Sequence, residues 1–261
     1  MKNKFAPLSV ALTFLIAIVA VACTTVVPDT GRKQVNFLKP SDEAALGLSE
    51  FQKLKKEKPI SRNPEYNNLV QRVGSRLSQV MPVPNAQWEF VVFEDSSPNA
   101  FALPGGKVGV HTGLFQITQN ESGLAAVIGH EVAHVVARHS GERMSRGLVT
   151  AGAVAGAAAI IEGRGGNGAL AGGIIGAGAL VYSRKFSRSQ ELESDKLGAL
   201  YMARAGYDPR ESVELWKRFA AWRNQNGQSN GMAFMRTHPV DEVRIAQLIE
   251  FMPRALSEYK Q

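Results

Sequence analysis

Asn120 to His139, NESGLAAVIGHEVAHVVARH, reads as one helix carrying His130-Glu131-Val132-Ala133-His134. Asn120 and Glu121 open it as a helix N-terminus prefers, and an apolar run from Leu124 to Ile128 leads into the histidines. Residues four apart on a helix lie about 6 Å apart along the axis and face nearly the same way. Both imidazoles therefore reach one Zn²⁺, while Glu131 flanks the water such an ion holds. The chain has only five histidines in 261 residues, so composition alone rarely produces this pattern. Two histidines on an apolar, buried helix face are costly without a partner, and a metal supplies one.

A catalytic Zn²⁺ needs a third protein ligand and one open position. An arrangement with Gly at 137 and a third His at 140 is excluded, because Ala137 and Ser140 stand there. His139 is one residue out of place and reads as a helix-end residue or an outer hydrogen-bond partner. Glu191 is the remaining candidate, in Gln190-Glu191-Leu192-Glu193-Ser194-Asp195 on a later helix. Glu191 and Asp195 share a face at four-residue spacing, so Glu191 is placed to ligate and Asp195 to orient a ligand histidine through its outer nitrogen. Glu193 falls on another face and reads as solvated.

Outward from these motifs, helices are expected from Ser41 to about Lys56 and, after Asn63-Pro64, along a stripe of Tyr66, Leu69, Val70, Val73, Leu77 and Val80. Trp88 to Phe93 and Lys107 to His111 (KVGVH) read as strands around the Pro104-Gly105-Gly106 turn. Further helices are expected over Glu191 to Ala205, from Asp208-Pro209 to about Arg223, and after Pro239, with Asn224 to Gly231 as a polar loop. Gly147 to Ile161 and Ala169 to Val181 are apolar Gly- and Ala-rich runs. At 15 and 13 residues they rise about 20 to 23 Å as helix, short of a hydrocarbon core of about 30 Å. They read as a hairpin or lid over residues 147–181, with a membrane-dipping hairpin as the alternative.

Residues 1–22 read as a signal peptide: Lys2 and Lys4 precede a 15-residue apolar run, Leu8 to Ala22. Ala20-Val21-Ala22 before Cys23 resembles a bacterial lipobox, which makes Cys23 the expected site of lipidation. Residues 23–40, beginning TTVVPDTGR after that cysteine, read as a flexible tether, and 41–261 as the folded domain. Thr24 in place of Asp points to the outer membrane, facing the periplasm. As the only cysteine, Cys23 excludes a disulfide scaffold. The net charge of +7 falls to +5 without the leader. That charge is spread over several helices with no nucleic-acid motif, so nucleic acid is not an expected partner.

Taken together, Asn99 to Gly106 (NAFALPGG), HEVAH with Val135 to Glu142 (VVARHSGE), Ser187 to Asp195 (SRSQELESD), and Thr237-His238-Pro239 with Arg244 resemble the HtpX-like zinc metalloendopeptidases. These are relatives of the CaaX prenyl endoprotease, and the likeness is to their soluble periplasmic lipoprotein branch. It spans roughly Asn63 to Phe251, with Ser194 where the family usually has Ala. The fold it implies is α+β: a mostly helical gluzincin-type metallopeptidase domain with a small β-sheet whose edge strand flanks the zinc site. The resemblance implies one Zn²⁺ on His130, His134 and Glu191. Glu131 then acts as general base and later acid in hydrolysing a peptide bond through a metal-activated water. It also implies that His238 and Arg244 lie near the open metal position as oxyanion donors, or that His238 caps the metal in a resting form. Lys107, Val108, Gly109, Val110 and His111 are then an exposed sheet edge that pairs with extended substrate.

The expected partners are unfolded or misfolded proteins, outer-membrane proteins among them, and a membrane reached through the lipid. The competing reading is a periplasmic chaperone or assembly factor with a structural or masked zinc. The open fourth position and Glu131 weigh against it, since structural zinc is normally closed by four protein ligands.

Overall fold

A computed structural model of the chain describes residues 24–162, 185–226 and 233–259. The leader, Cys23, residues 163–181 of the Gly/Ala-rich stretch and 227–231 of the polar loop lie outside the described residues. The described chain runs β1 (Thr24–Val26), β2 (Lys33–Val35), α1 (Pro40–Glu57), α2 (Pro64–Ser78), β3 (Glu89–Phe93), β4 (Ala100–Leu103) and β5 (Lys107–His111). It continues through α3 (Phe115–Thr118), α4 (Glu121–Val136), α5 (His139–Glu162), α6 (Arg188–Arg204), α7 (Glu211–Asn226), α8 (Ala233–Thr237) and α9 (Glu242–Leu256). The result is mostly helical, with two small sheets.

Local chemistry sets the helix starts. Asn63 accepts from the backbone N–H of Glu65 and Tyr66 ahead of α2, and Asn120 accepts from Gly123 N at 2.7 Å ahead of α4. Ser187 and Gln190 form a reciprocal capping box at the start of α6. Helix α4 has little amphipathicity because it is the centre of the molecule, packed by α6, α7, α2 and β4. A second apolar cluster, Phe51, Leu54, Phe93, Phe101 and Leu103, lies between α1 and the three-stranded sheet, with Phe51 edge-on to Phe93 and Phe101.

That sheet has the order β3-β5-β4, with β5 parallel to β3 and antiparallel to β4. This corrects the expectation for Lys107–His111. The KVGVH strand is central, hydrogen-bonded on both sides and buried along its length, so it offers substrate no edge. The edge strand toward α4 is β4, a short apolar segment between Pro98 and Pro104.

Residues 24–35 also depart from expectation. Rather than a flexible tether they form an antiparallel hairpin, turned at Asp29 and Gly31, both with positive φ. Polar contacts dock it: Arg204 binds Asp29 at 2.7 Å and Gln34 Nε2 donates to Ala137 O at 2.7 Å. Gly147 to Ile161 does not begin a separate unit but continues α5, which starts at His139. Helix α7 runs three residues past Arg223 to Asn226, and α8 was not anticipated. Among the described residues no helix is long and apolar enough to cross a membrane.

Candidate metal centre

Helices α4 and α6 cross where both carry glycine. A Cβ on Gly198 would lie 2.9 Å from the His130 backbone N, and one on Gly129 would lie 3.2 Å from Gly198 O. A side chain at Gly198 cannot be accommodated at this separation, and one at Gly129 would push the two backbones apart by a few tenths of an ångström. The crossing brings Glu191 and Asp195 of α6 against His130 and His134 of α4.

The donor atoms converge in a buried space. His130 Nε2 lies 3.2 Å from His134 Nε2, 3.4 Å from Glu191 Oε2 and 3.3 Å from His238 Nδ1. Glu191 Oε1 is 3.6 Å from His134 Nε2 and 3.0 Å from His238 Nδ1. Four donors at about 2.0 to 2.1 Å from a tetrahedral ion are separated by about 3.3 Å, and the three separations from His130 Nε2, 3.2 to 3.4 Å, match that spacing. Without a metal the cluster is costly: two histidine nitrogens face each other, and Glu131 Oε1 is buried without a well-formed hydrogen bond. The set of three imidazoles and one carboxylate suits Zn²⁺.

Charges behind the donors hold them in place. Asp195 Oδ1 sits 2.9 Å from His130 Nδ1, which turns Nε2 toward the other donors. Arg244 grips Asp195 with two bonds, Nε to Oδ2 at 2.8 Å and Nη2 to Oδ1 at 2.7 Å. Its Nη1 reaches Pro239 O and Glu191 Oε2 at 2.8 and 2.9 Å. With its guanidinium engaged on the carboxylates behind the site, Arg244 is not the oxyanion donor that the family resemblance implied. Burial disfavours charge on Asp195, yet Arg244 and His130 hold its pKa below the usual value. Burial likewise opposes charge on Glu191, but His238 and His130 bring it well below the usual range. His130 is raised despite burial by Asp195 and Glu191, whereas burial drives His134 well down.

Glu131 lies beside this group. Burial, reinforced by the Glu191 charge, pushes its pKa up to about 7, against the pull of His238 and the Ala102 backbone N–H. That N–H belongs to β4, so the edge strand touches the acidic residue of the motif. His238 follows α8 directly; its Nδ1 faces the donors and its Nε2 lies 3.3 Å from Glu131 Oε1. Phe186 stacks on His134 with ring centres 3.8 Å apart, a contact that the sequence did not suggest.

Glu193 was expected in solvent and is buried instead. Burial alone would raise it, but donors on His139, Thr30 and Arg32 bring its pKa down to about 2. His139, read as a helix-end residue or outer partner, is completely buried, with Nδ1 2.9 Å from His134 Nδ1. Lys107 to His111 stay away from the donor group. Lys107 donates to Gln87 O and His111 lies 3.3 Å from Asp95 Oδ2.

Known proteins resemble this chain over most of its length. The chain is 34% identical over 232 residues to the mitochondrial metalloendopeptidase OMA1 of Schizosaccharomyces pombe, covering 88% of this chain and 66% of that protein. It is 31% identical over 222 residues to a putative beta-barrel assembly-enhancing protease of Vibrio cholerae, covering 84% and 46%. With the beta-barrel assembly-enhancing protease of Escherichia coli it shares 28% over 252 residues, covering 94% and 51%. The chain thus spans about half to two thirds of the length of these relatives. The model of peptidase family M48 matches residues 64–251. Because that match begins at α2, ends within α9 and takes in both helices that carry the donors, the chain belongs to peptidase family M48, a family of metallopeptidases.

Proposed function

We propose that this chain is a zinc-dependent endopeptidase of the bacterial cell envelope, acting on unfolded or misassembled envelope proteins. The observation that carries the reading is the tetrahedral spacing of donors on His130, His134 and Glu191 with Glu131 alongside. Zn²⁺ held there supplies Lewis acidity toward a peptide carbonyl and makes water acidic near neutral pH. Glu131, buried beside the donors, accepts a proton from the attacking water and returns it to the leaving nitrogen. Asp195, backed by Arg244, keeps His130 in the ligating tautomer. The outward edge of β4 takes the place of Lys107–His111 as the strand that aligns extended substrate, since Ala102 already reaches Glu131 from it. The relatives named as beta-barrel assembly-enhancing proteases motivate the choice of outer-membrane proteins as substrates.

Treatment of the purified chain with a chelator should abolish cleavage of an unfolded protein, and stoichiometric Zn²⁺ should restore it. Cleavage that persists without metal rejects the reading. His238 Nδ1 stands at the fourth vertex of the donor group, so in our reading it masks the metal and must swing away for substrate to enter. His238→Ala should therefore raise basal cleavage; a fall of about 10²- to 10³-fold would instead assign it to oxyanion stabilisation. The same masking favours a second reading, an assembly factor with a closed zinc, which predicts no cleavage by either form. We further propose a lipid anchor at Cys23 that places the domain on the outer membrane. Acyl labelling equal in wild type and Cys23→Ser would refute the anchor.

A further inference from the structure

The two ligand histidines of α4 are backed in different ways. His130 meets a carboxylate directly. His134 meets another imidazole: with its Nε2 turned to the donor group, its Nδ1–H donates to His139 Nδ1 at 2.9 Å. The proton of His139 then sits on Nε2 and donates to Glu193 Oε2 at 2.9 Å. The carboxylate at the end accepts only, which fixes the direction of both donations. His139 reaches this place because Arg138, between α4 and α5, adopts a left-handed backbone with φ 53°. That conformation is unfavourable for a residue with a Cβ, so it must be held by other contacts. Arg138 is held in it by hydrogen bonds to both Glu43 oxygens and to Leu38 O.

Glu193 is in turn held by the N-terminal hairpin. Thr30 Oγ donates to Oε1 at 2.6 Å and Arg32 Nε to Oε2 at 2.7 Å, while the rest of the Arg32 guanidinium binds Glu142 and Gln34. Each ligand histidine thus ends on an arginine–carboxylate pair, Arg244–Asp195 for one and Arg32–Glu193 for the other. The second arginine comes from 161 residues upstream of its carboxylate.

We propose that the β1–β2 hairpin is a working part of the metal centre, with Arg32 and Thr30 positioning Glu193, and Glu193 positioning the ligand His134 through His139. The inference rests on the zinc reading of the site and assigns Arg32, Glu193 and His139 as positioning residues. Its test is zinc affinity, measured on the full chain by competition with a chromophoric chelator, with the thermal midpoint of the metal-free protein recorded alongside. Glu193→Gln, which keeps the shape and loses the charge, should weaken zinc binding about 10-fold, the lower end of what outer partners of metal ligands contribute. Arg32→Ala should follow it and Arg32→Lys should recover most of the loss. Asp29→Asn removes the hairpin's charge pairing with Arg204 but leaves Thr30 and Arg32 in place, and should bind zinc like wild type. Wild-type affinity in both Glu193→Gln and Arg32→Ala overturns the proposal. So does an equal loss in Asp29→Asn, which makes the hairpin a general brace. Failure of the underlying zinc reading is separately visible: wild type then binds no zinc, or His134→Ala binds it unimpaired.

Discussion

Glu131→Gln should retain zinc and lower peptide cleavage by about 10²- to 10⁴-fold, the usual contribution of a general acid–base group. The amide has the size of the carboxylate and keeps an acceptor for the Ala102 N–H, and Glu131 lies beside the donor group of His130, His134, Glu191 and His238 without belonging to it, so the donors are undisturbed. It cannot take up a proton from water and deliver it to an amine, so turnover falls while zinc content and folding do not. A second consequence distinguishes this change from simple damage. In the metal-free chain burial raises Glu131 from 4.5 to about 7, so the folded state binds the extra proton between these values and loses stability as pH rises through them. The penalty is complete above about pH 7 and absent below about pH 4. The chelated Gln variant should therefore be as stable as the chelated wild type in acid and more stable at neutral pH, by as much as about 3 kcal/mol. Full peptidase activity in the variant refutes the role of Glu131, and a stability difference independent of pH refutes the account of its burial.

What was legible in the sequence was what local spacing encodes. The HExxH pattern needed one helix, and the four-residue step from Glu191 to Asp195 needed another, so both sets of side chains were identifiable before their meeting was seen. Contacts between distant segments were not. Thr24 to Arg32 has the composition of a linker, and nothing within it signals that Arg32 is paired with Glu193 on α6. Glu193 reads as solvated from spacing because it lies off the ligand face of α6, whereas the hairpin buries a second face of that helix. The KVGVH strand was misplaced because strand order is non-local: β5 lies beside β3 in parallel and leaves β4 at the edge. Arg244, expected as an oxyanion donor, lies in the first turn of a helix started by Asp241, and only the packing of that helix on α6 shows that its cation meets Glu191 and Asp195 instead.

Gly129 and Gly198 are a signal that the sequence does carry, since an isolated glycine inside a helical pattern commonly marks a close approach. Gly198→Ala should weaken zinc binding by at least about 10-fold and lower the thermal midpoint, although alanine is the better helix former by about 1 kcal/mol. The new methyl meets His130 N at 2.9 Å, Gly129 C at 3.1 Å and His130 Cα at 3.2 Å, all backbone atoms that cannot rotate away. Normal contact needs about 3.5 Å or more, so α6 must withdraw from α4 by several tenths of an ångström. Overpacking of this kind costs about 1–3 kcal/mol, which outweighs the gain in propensity. The withdrawal is transmitted along a rigid helix to Asp195 one turn away and Glu191 two turns away, and it opens the 2.9 Å and 3.4 Å contacts that both make with His130. Gly147→Ala in α5 is the matched control, because its Cβ meets nothing within 4 Å. That change should gain up to about 1 kcal/mol of stability and leave zinc affinity unaltered. If Gly198→Ala behaves like Gly147→Ala in both measurements, the close crossing of α4 and α6 is not what assembles the metal centre.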